Sequence, residues 1–165
     1  TLSSTGHKIS GIRWNDIHFN DSEYEKWAAY GQSKTAASLL AIEVDKRMKD
    51  SGIRAFSVHP GGIITPLQRH LEQEEMVALG WMDKEGQPTE LVAKMFKTAR
   101  QGASTSLWAA TSPQLDDIGG VYCENCEVAA PTDDGENARF IGVNDWAVDA
   151  EEASRLWDET ELMLS

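Results

Sequence analysis

The sequence predicts an α/β domain in which an open parallel sheet, doubly wound, is covered by helices on both faces. Long amphipathic helical patterns alternate with short runs rich in β-branched and aromatic residues, and those runs close on glycine, proline or serine turns. The chain has 165 residues with 41% hydrophobic and 25% charged content, enough for one core and too apolar for disorder. About three strands are visible, fewer than a doubly wound sheet normally needs to satisfy its ladders and to cover its helices.

Thr1-Leu2 reads as the end of a strand, followed by a polar loop through Gly6 and Gly11. Ser22-x-x-Glu25 forms a capping box, and one long helix is predicted from about 23 to 50 with Gly52 as its stop signal. Ala36, Ala37, Leu40, Val44 and Met48 recur at three- and four-residue steps and mark the stripe to be buried. Glu43, Asp45, Lys46 and Lys49 fall elsewhere on the wheel. The run 53–59, rich in β-branched and aromatic residues, predicts a strand closed by Pro60-Gly61-Gly62.

A short acidic helix is predicted over 66–80 and a loop over 83–88. A second long helical pattern runs from 89 to 110 through Leu91, Val92, Met95 and Phe96, interrupted near Gly102 and ended by Pro113. Gly119-Gly120 opens a strand over 121–128, and 131–137 reads as an acidic loop. Asp149-x-x-Glu152 caps a C-terminal helix with Ala153, Leu156, Trp157 and Thr160 on one face. No repeat, low-complexity tract or linker divides the chain, which reads as one domain.

With 27 Asp and Glu against 15 Lys and Arg, the formal charge is −12, so polyanions meet net repulsion. Nucleic acid and anionic membrane are therefore not expected as partners. No apolar run approaches the roughly 20 residues of a membrane span, and the expected address is the cytoplasm.

Cys123 and Cys126 stand as Cys-x-x-Cys within an apparent strand, where positions three apart point to opposite faces. A redox dithiol wants a helix N-terminus, and the histidines at 7, 18, 59 and 70 do not complete a zinc site at finger spacing; no metal is expected. His59 reads as a packed histidine, Trp108 and Trp157 as core, and Glu72, Glu74 and Glu75 as a solvated face.

The chemistry centres on Tyr30-Gly31-Gln32-Ser33-Lys34 in the first long helix. Residues four apart share a helical face, so phenol and ammonium can enter one cleft, and the cation favours the phenolate. Such a phenol can give a proton to a carbonyl oxygen or take one from an alcohol. Alone the spacing is a weak signal, and a solvated pair is the bland alternative. Ser3-Ser4 follows one strand end and Pro60 to Thr65 follows the next, which brings a hydroxyl, a phenol, an ammonium and a glycine turn to one rim of the sheet.

In these residues the sequence resembles the short-chain dehydrogenase/reductase family, in the branch that includes the retinol dehydrogenases and the WW-domain-containing oxidoreductase. The resemblance runs along nearly the whole chain. It is carried by Ser3-Ser4-x-x-His7, by Tyr24 to Lys34 with Ala28-Ala29-Tyr30-x-x-Ser33-Lys34, by Ser57-Val58-His59-Pro60-Gly61, by Gln101-Gly102-Ala103 and by Gly119-Gly120-x-Tyr122. It implies a Rossmann-like fold and an NAD(P)-dependent oxidoreductase that interconverts a carbonyl and an alcohol by hydride transfer. Tyr30 then resembles the catalytic acid/base, Lys34 the residue that lowers its pKa and holds the nicotinamide ribose, and Ser4 the serine that orients the substrate carbonyl. Pro60, Gly61, Ile63 and Thr65 resemble the turn that contacts the nicotinamide. Segment 66–88 takes the position of the family's variable lid, and Leu67, Leu71, Met76, Leu79, Trp81 and Met82 would line a pocket for a small apolar carbonyl or alcohol.

The departure from the family lies in the dinucleotide-binding part. These 165 residues hold no Gly-x-x-x-Gly-x-Gly or Gly-x-Gly-x-x-Gly turn and no residue that would choose between NAD and NADP. In the family those features, the first four strands and a relay asparagine precede the strand that ends at Ser4. The chain thus reads as the C-terminal catalytic part, with an N-terminal half expected in the same or another chain. The long helix commonly builds the subunit interface in the family, so a homodimer is expected. A catalytically silent binding or oligomerisation module is the rival reading, and a serine hydrolase is disfavoured by the lack of a Gly-x-Ser-x-Gly elbow.

Overall fold

A computed structural model describes residues 1–135 and 138–165. Among them, α1 (Lys26–Met48) leads into β1 (Phe56–His59), α2 (Gln73–Ala78), α3 (Glu90–Met95), α4 (Ala99–Thr111), β2 (Val121–Glu124), β3 (Glu127–Val128) and α5 (Ala150–Leu164). The order in the sheet is β1-β2-β3, with β1 and β2 parallel in the register Val58↔Cys123 and His59↔Glu124. The strand end expected at Thr1-Leu2 is there as a parallel bridge, Leu2↔Val58, closed by the Ser3 amide on the Val58 carbonyl at 2.8 Å.

Alternation along β1 and β2 sends side chains to opposite faces. Val58 and Cys123 pack with Ala109 of α4 and with Leu115 on one face. Tyr122 packs with Val143 and Ala147 on the other, where α1 also lies against β1. Helices thus cover both faces, as the pattern predicts. None of the described helices is long and apolar enough to cross a membrane.

The sheet is mixed, not wholly parallel. The strand expected over 121–128 stops at Glu124, because Asn125 and Cys126 take φ values of 51° and 59° and reverse the chain into an antiparallel β2–β3 hairpin. Cys123 is buried in the core, whereas Cys126 is exposed in the turn, so the two cysteines are separated by a turn and not by strand alternation. Among the described residues no group of three His, Cys, Asp or Glu is placed to hold a metal ion.

α1 begins later than its expected capping box. Glu25 is the N-cap and its carboxylate accepts the amides of Trp27 and Ala28; Ser22 instead donates to Asp16 at 2.6 Å and accepts from Arg13. The buried side of α1 also differs: Gly31, Thr35, Ser38, Leu39, Glu43 and Asp45 face the protein, while Leu40 and Met48 are exposed. Polar side chains go inward here because each finds a partner. Glu43 pairs with Arg47 at 2.8 Å, and Asp45 takes both Arg54 Nε at 2.9 Å and the Ala55 amide at 3.0 Å.

Segment 66–80 is two pieces, a 3-10 turn over Pro66–His70 capped by Thr65 and the short α2. The pattern over 89–110 breaks at 96–98 and not at Gly102, since the Lys97 amide leaves the helix to bond the Gly62 carbonyl at 2.7 Å. Gly102 lies inside α4, where a Cβ would stand 2.1 Å from Ile63 Cδ1. α5 starts at the expected Asp149 cap and buries Ala153 against the protein, with Thr160 exposed and bonded to the Leu156 carbonyl. The acidic loop expected over 131–137 lies partly outside the described residues; its first residue bridges to Val143.

Candidate active site

Ser4 leaves the sheet in an extended conformation, φ −163° and ψ 158°, and caps the 3-10 turn Thr5–Lys8. Its Oγ accepts the Gly6 amide at 3.1 Å, and its carbonyl accepts the His7 amide at 3.0 Å. Because Leu2 pairs with Val58, Ser4 and Pro60 leave the same rim two residues further along neighbouring strands, which run about 4.8 Å apart.

Tyr30 and Lys34 sit one turn apart on α1, both half-buried. Lys34 Nζ lies 5.4 Å from the centre of the Tyr30 ring and donates to the Leu2 carbonyl at 3.3 Å. Ser3 Oγ bonds the Lys34 carbonyl at 2.8 Å and accepts from Ser38 at 3.0 Å, which ties the helix to the strand end. Gly6 lets the phenol come close: a Cβ there would stand 2.4 Å from Tyr30 Cε1 and 3.5 Å from Ser4 Oγ. Ser4 and Tyr30 thus meet at Gly6, and Lys34 stands beside the Tyr30 ring, bonded to the strand end.

The turn after β1 seats the remaining expected residues. Gly61 has φ +93°, and a Cβ on it would meet Lys97 Cδ at 2.8 Å. Ile63 bridges to Lys97, and its carbonyl accepts from Gln68 at 3.1 Å. The Thr65 hydroxyl caps the following turn, accepting the Leu67 amide at 3.2 Å, so it serves the chain itself. Over this turn, Phe96 packs against Gly62, and Trp81 stands edge-on to Phe96 with ring centres 5.5 Å apart. Segment 66–88 is also tied to α1. Glu75 pairs with Lys26, so it is an anchor and not only part of a solvated acidic face. Leu67 is 64% exposed.

His59 is buried, and burial first, then the charge of Lys97, pushes its pKa down to about 4. It is a packed neutral histidine, as read from the sequence. Its Nδ1 has no hydrogen-bond partner among the described residues.

The sequence assigns His7 no part in the chemistry, yet it is fully buried beside Ser4. Its Nδ1 is 2.7 Å from the Ser4 carbonyl, and its Nε2 accepts the Asn144 amide at 3.1 Å. An acceptor at Nε2 places the proton on Nδ1, which therefore donates to Ser4. Burial pushes the His7 pKa down to about 4, so the ring is neutral at ordinary pH. Tyr122 tilts against it at 5.1 Å between ring centres, and burial together with the Glu124 charge raises the Tyr122 pKa.

No family model matches the chain. Curated relatives do. The short-chain dehydrogenase/reductase prx1 of Penicillium roqueforti is 37% identical over 164 residues, 99% of this chain and 46% of its own length. A "Probable oxidoreductase" of Streptomyces lividans is 40% identical over 157 residues, 95% of this chain and 52% of its own length. Retinol dehydrogenase 12 of Mus musculus is 33% identical over 126 residues, 76% of this chain and 36% of its own. The fold is shared with the crystal structure of an uncharacterized protein from Mycobacterium Paratuberculosis, at a TM-score of 0.60 and 24% identity, covering 98% of this chain and 48% of that one. The chain spans about half the length of the curated relatives it matches.

Proposed function

Since the chain belongs to the short-chain dehydrogenase/reductase family, we propose that it is the C-terminal catalytic part of an NAD(P)-dependent oxidoreductase that interconverts a carbonyl and an alcohol. The observation that carries this reading is the approach of Ser4 and Tyr30 at Gly6, with the Lys34 ammonium beside the Tyr30 ring, at the C-terminal rim of the sheet. In open α/β sheets that rim is where ligands bind.

The residues fit the nicotinamide-ribose end of a dinucleotide. An ammonium has three donors, and among the described residues Lys34 bonds through Nζ only to the Leu2 carbonyl, which leaves donors for ribose hydroxyls. Gly61 and Gly62 lack the Cβ atoms that would crowd the turn. Pro60, Gly61 and Ile63 would contact the nicotinamide, and Thr65 would join them by giving up its cap on Leu67. When bound, NAD or NADP supplies or accepts the hydride on the carbon side. Tyr30 gives the proton to the carbonyl oxygen, or takes it from the alcohol. Ser4 donates a hydrogen bond to the same oxygen and keeps its proton, because its Oγ already accepts from the Gly6 amide. Lys34 favours the phenolate left on Tyr30.

The substrate is a small apolar carbonyl or alcohol held under segment 66–88, and the dinucleotide's remaining contacts come from an N-terminal half in the same or another chain. α1 would build a homodimer. Tyr30→Phe should lower turnover by about 10²–10⁴-fold with either nicotinamide, measured as nicotinamide absorbance over a panel of aldehydes, ketones and alcohols. Turnover at the wild-type rate would remove Tyr30 from the chemistry.

A further inference from the structure

We infer that His7 is a positioning residue for Ser4: it locks the Ser4 carbonyl from Nδ1 while Nε2 is held by the Asn144 amide, so that the chain around 138–147 sets the pose of the Ser4 hydroxyl. The inference rests on the part given to Ser4 in the proposed reaction.

Five further contacts converge on the same bracket. Thr35 of α1 and the Trp146 indole both donate to the His7 carbonyl, at 3.3 and 3.0 Å. Lys8 donates to the carbonyls of Ala138 and Ile141, and Glu124 accepts the Gly142 amide at 2.6 Å. The segment also reaches the lid, where Arg139 meets the Leu79 carbonyl at 3.5 Å. Among the described residues, His7 is the one side chain that bonds both this segment and Ser4 itself. Its proton cannot move to Nε2 without setting N–H against N–H at Asn144 and leaving the Ser4 carbonyl opposite an acceptor, a ring turned over would offer carbon to both partners, and the Tyr122 ring packs against it. A neutral, fully buried imidazole with each nitrogen engaged has one tautomer and one pose.

The two bonds can be separated by substitution. Asparagine reproduces the Nδ1 position and can still donate to Ser4, whereas glutamine reproduces the Nε2 position and cannot. In the natively expressed protein, the Gly6 amide reports the Ser4 hydroxyl it bonds. Hydrogen exchange at Gly6 should accelerate about tenfold or more in His7→Gln and stay within about threefold of wild type in His7→Asn. In turnover, His7→Gln should lower kcat by about tenfold with KM within about twofold. His7→Asn should recover most of that loss, and His7→Gln should cost less than about twofold in a Ser4→Ala background.

Equal exchange in the two variants, or a kcat loss that persists without the Ser4 hydroxyl, would overturn the inference. Nitrogen-15 spectra of the wild type check the tautomer independently of any variant's folding: a proton on Nδ1 is expected, and a proton on Nε2 overturns it. If the wild type turns over no carbonyl or alcohol with either nicotinamide, the enzymatic reading fails, while the exchange contrast still decides whether His7 holds Ser4.

Discussion

At the residue scale, Asp45 shows how a charge can be buried without loss. Its side chain is 8% exposed and takes a two-pronged contact from Arg54, at 2.9 Å from Nε and 3.0 Å from Nη2, plus the Ala55 amide. The bond from Arg54 chiefly holds its pKa below the usual carboxylate value. A depressed folded-state pKa stabilises the protein above the unfolded value of about 3.9, and this contribution is lost as pH falls through the folded value. Asp45→Asn should cost about 2–3 kcal/mol in urea unfolding at pH 7. Gly119→Ala should cost at least as much, because a Cβ would lie 1.8 Å from Asp45 Oδ1. A midpoint unchanged by either substitution would contradict this account. The sequence placed Asp45 off the buried stripe because its partner Arg54 comes from beyond the helix, just before β1. Tyr30 and Lys34 were legible for the opposite reason, since four-residue spacing on a helix is a local property. His7 was not, because the Asn144 amide that fixes its ring lies 137 positions away.

At the scale of elements, what was legible is what local chemistry dictates. Gly52 stops the chain as expected, at φ +77°, although α1 itself ends at Met48 and Gly52 closes the 3-10 turn Lys49–Ser51 that follows it, and α5 begins at its Asp149 cap. The breaks decided by distant partners were not legible. Helix is abandoned at 96–98 for a backbone bond to Gly62, and Ser22 is drawn from the cap by Asp16. The β2–β3 hairpin was hidden because its turn is Asn125-Cys126, where a glycine would have signalled two left-handed residues. Cys126→Gly should therefore stabilise the protein by about 0.5–1 kcal/mol, since the thiol residue is held at φ 59°. The Cys126 amide keeps its bond to Thr105 Oγ1 in either case. A lower thermal midpoint would show that the Cys126 side chain contributes more than its backbone costs.

For the whole molecule, two buried histidines link folding to acidity. His7 and His59 are both pushed from 6.5 to about 4, mainly by burial. Between those values the unfolded chain binds up to two more protons than the folded one, so this stabilisation is full above pH 6.5 and is lost as pH falls toward 4. Urea midpoints measured from pH 7 to pH 4 should fall accordingly, and His7→Gln should remove about one proton from the slope. An unchanged slope in that variant would place the His7 titration elsewhere.

The bond from the Trp146 indole to the His7 carbonyl also gives the protein an optical gauge. Trp146 is 41% exposed and its ring packs on Gly11, so this fluorophore has one edge in water and its N–H fastened to the turn that carries Ser4. Any rearrangement of that turn changes the hydrogen bond and the wetting of the ring together. A variant keeping only this tryptophan would report, by the colour of its emission and in real time, when the rim at Ser4 tightens or loosens.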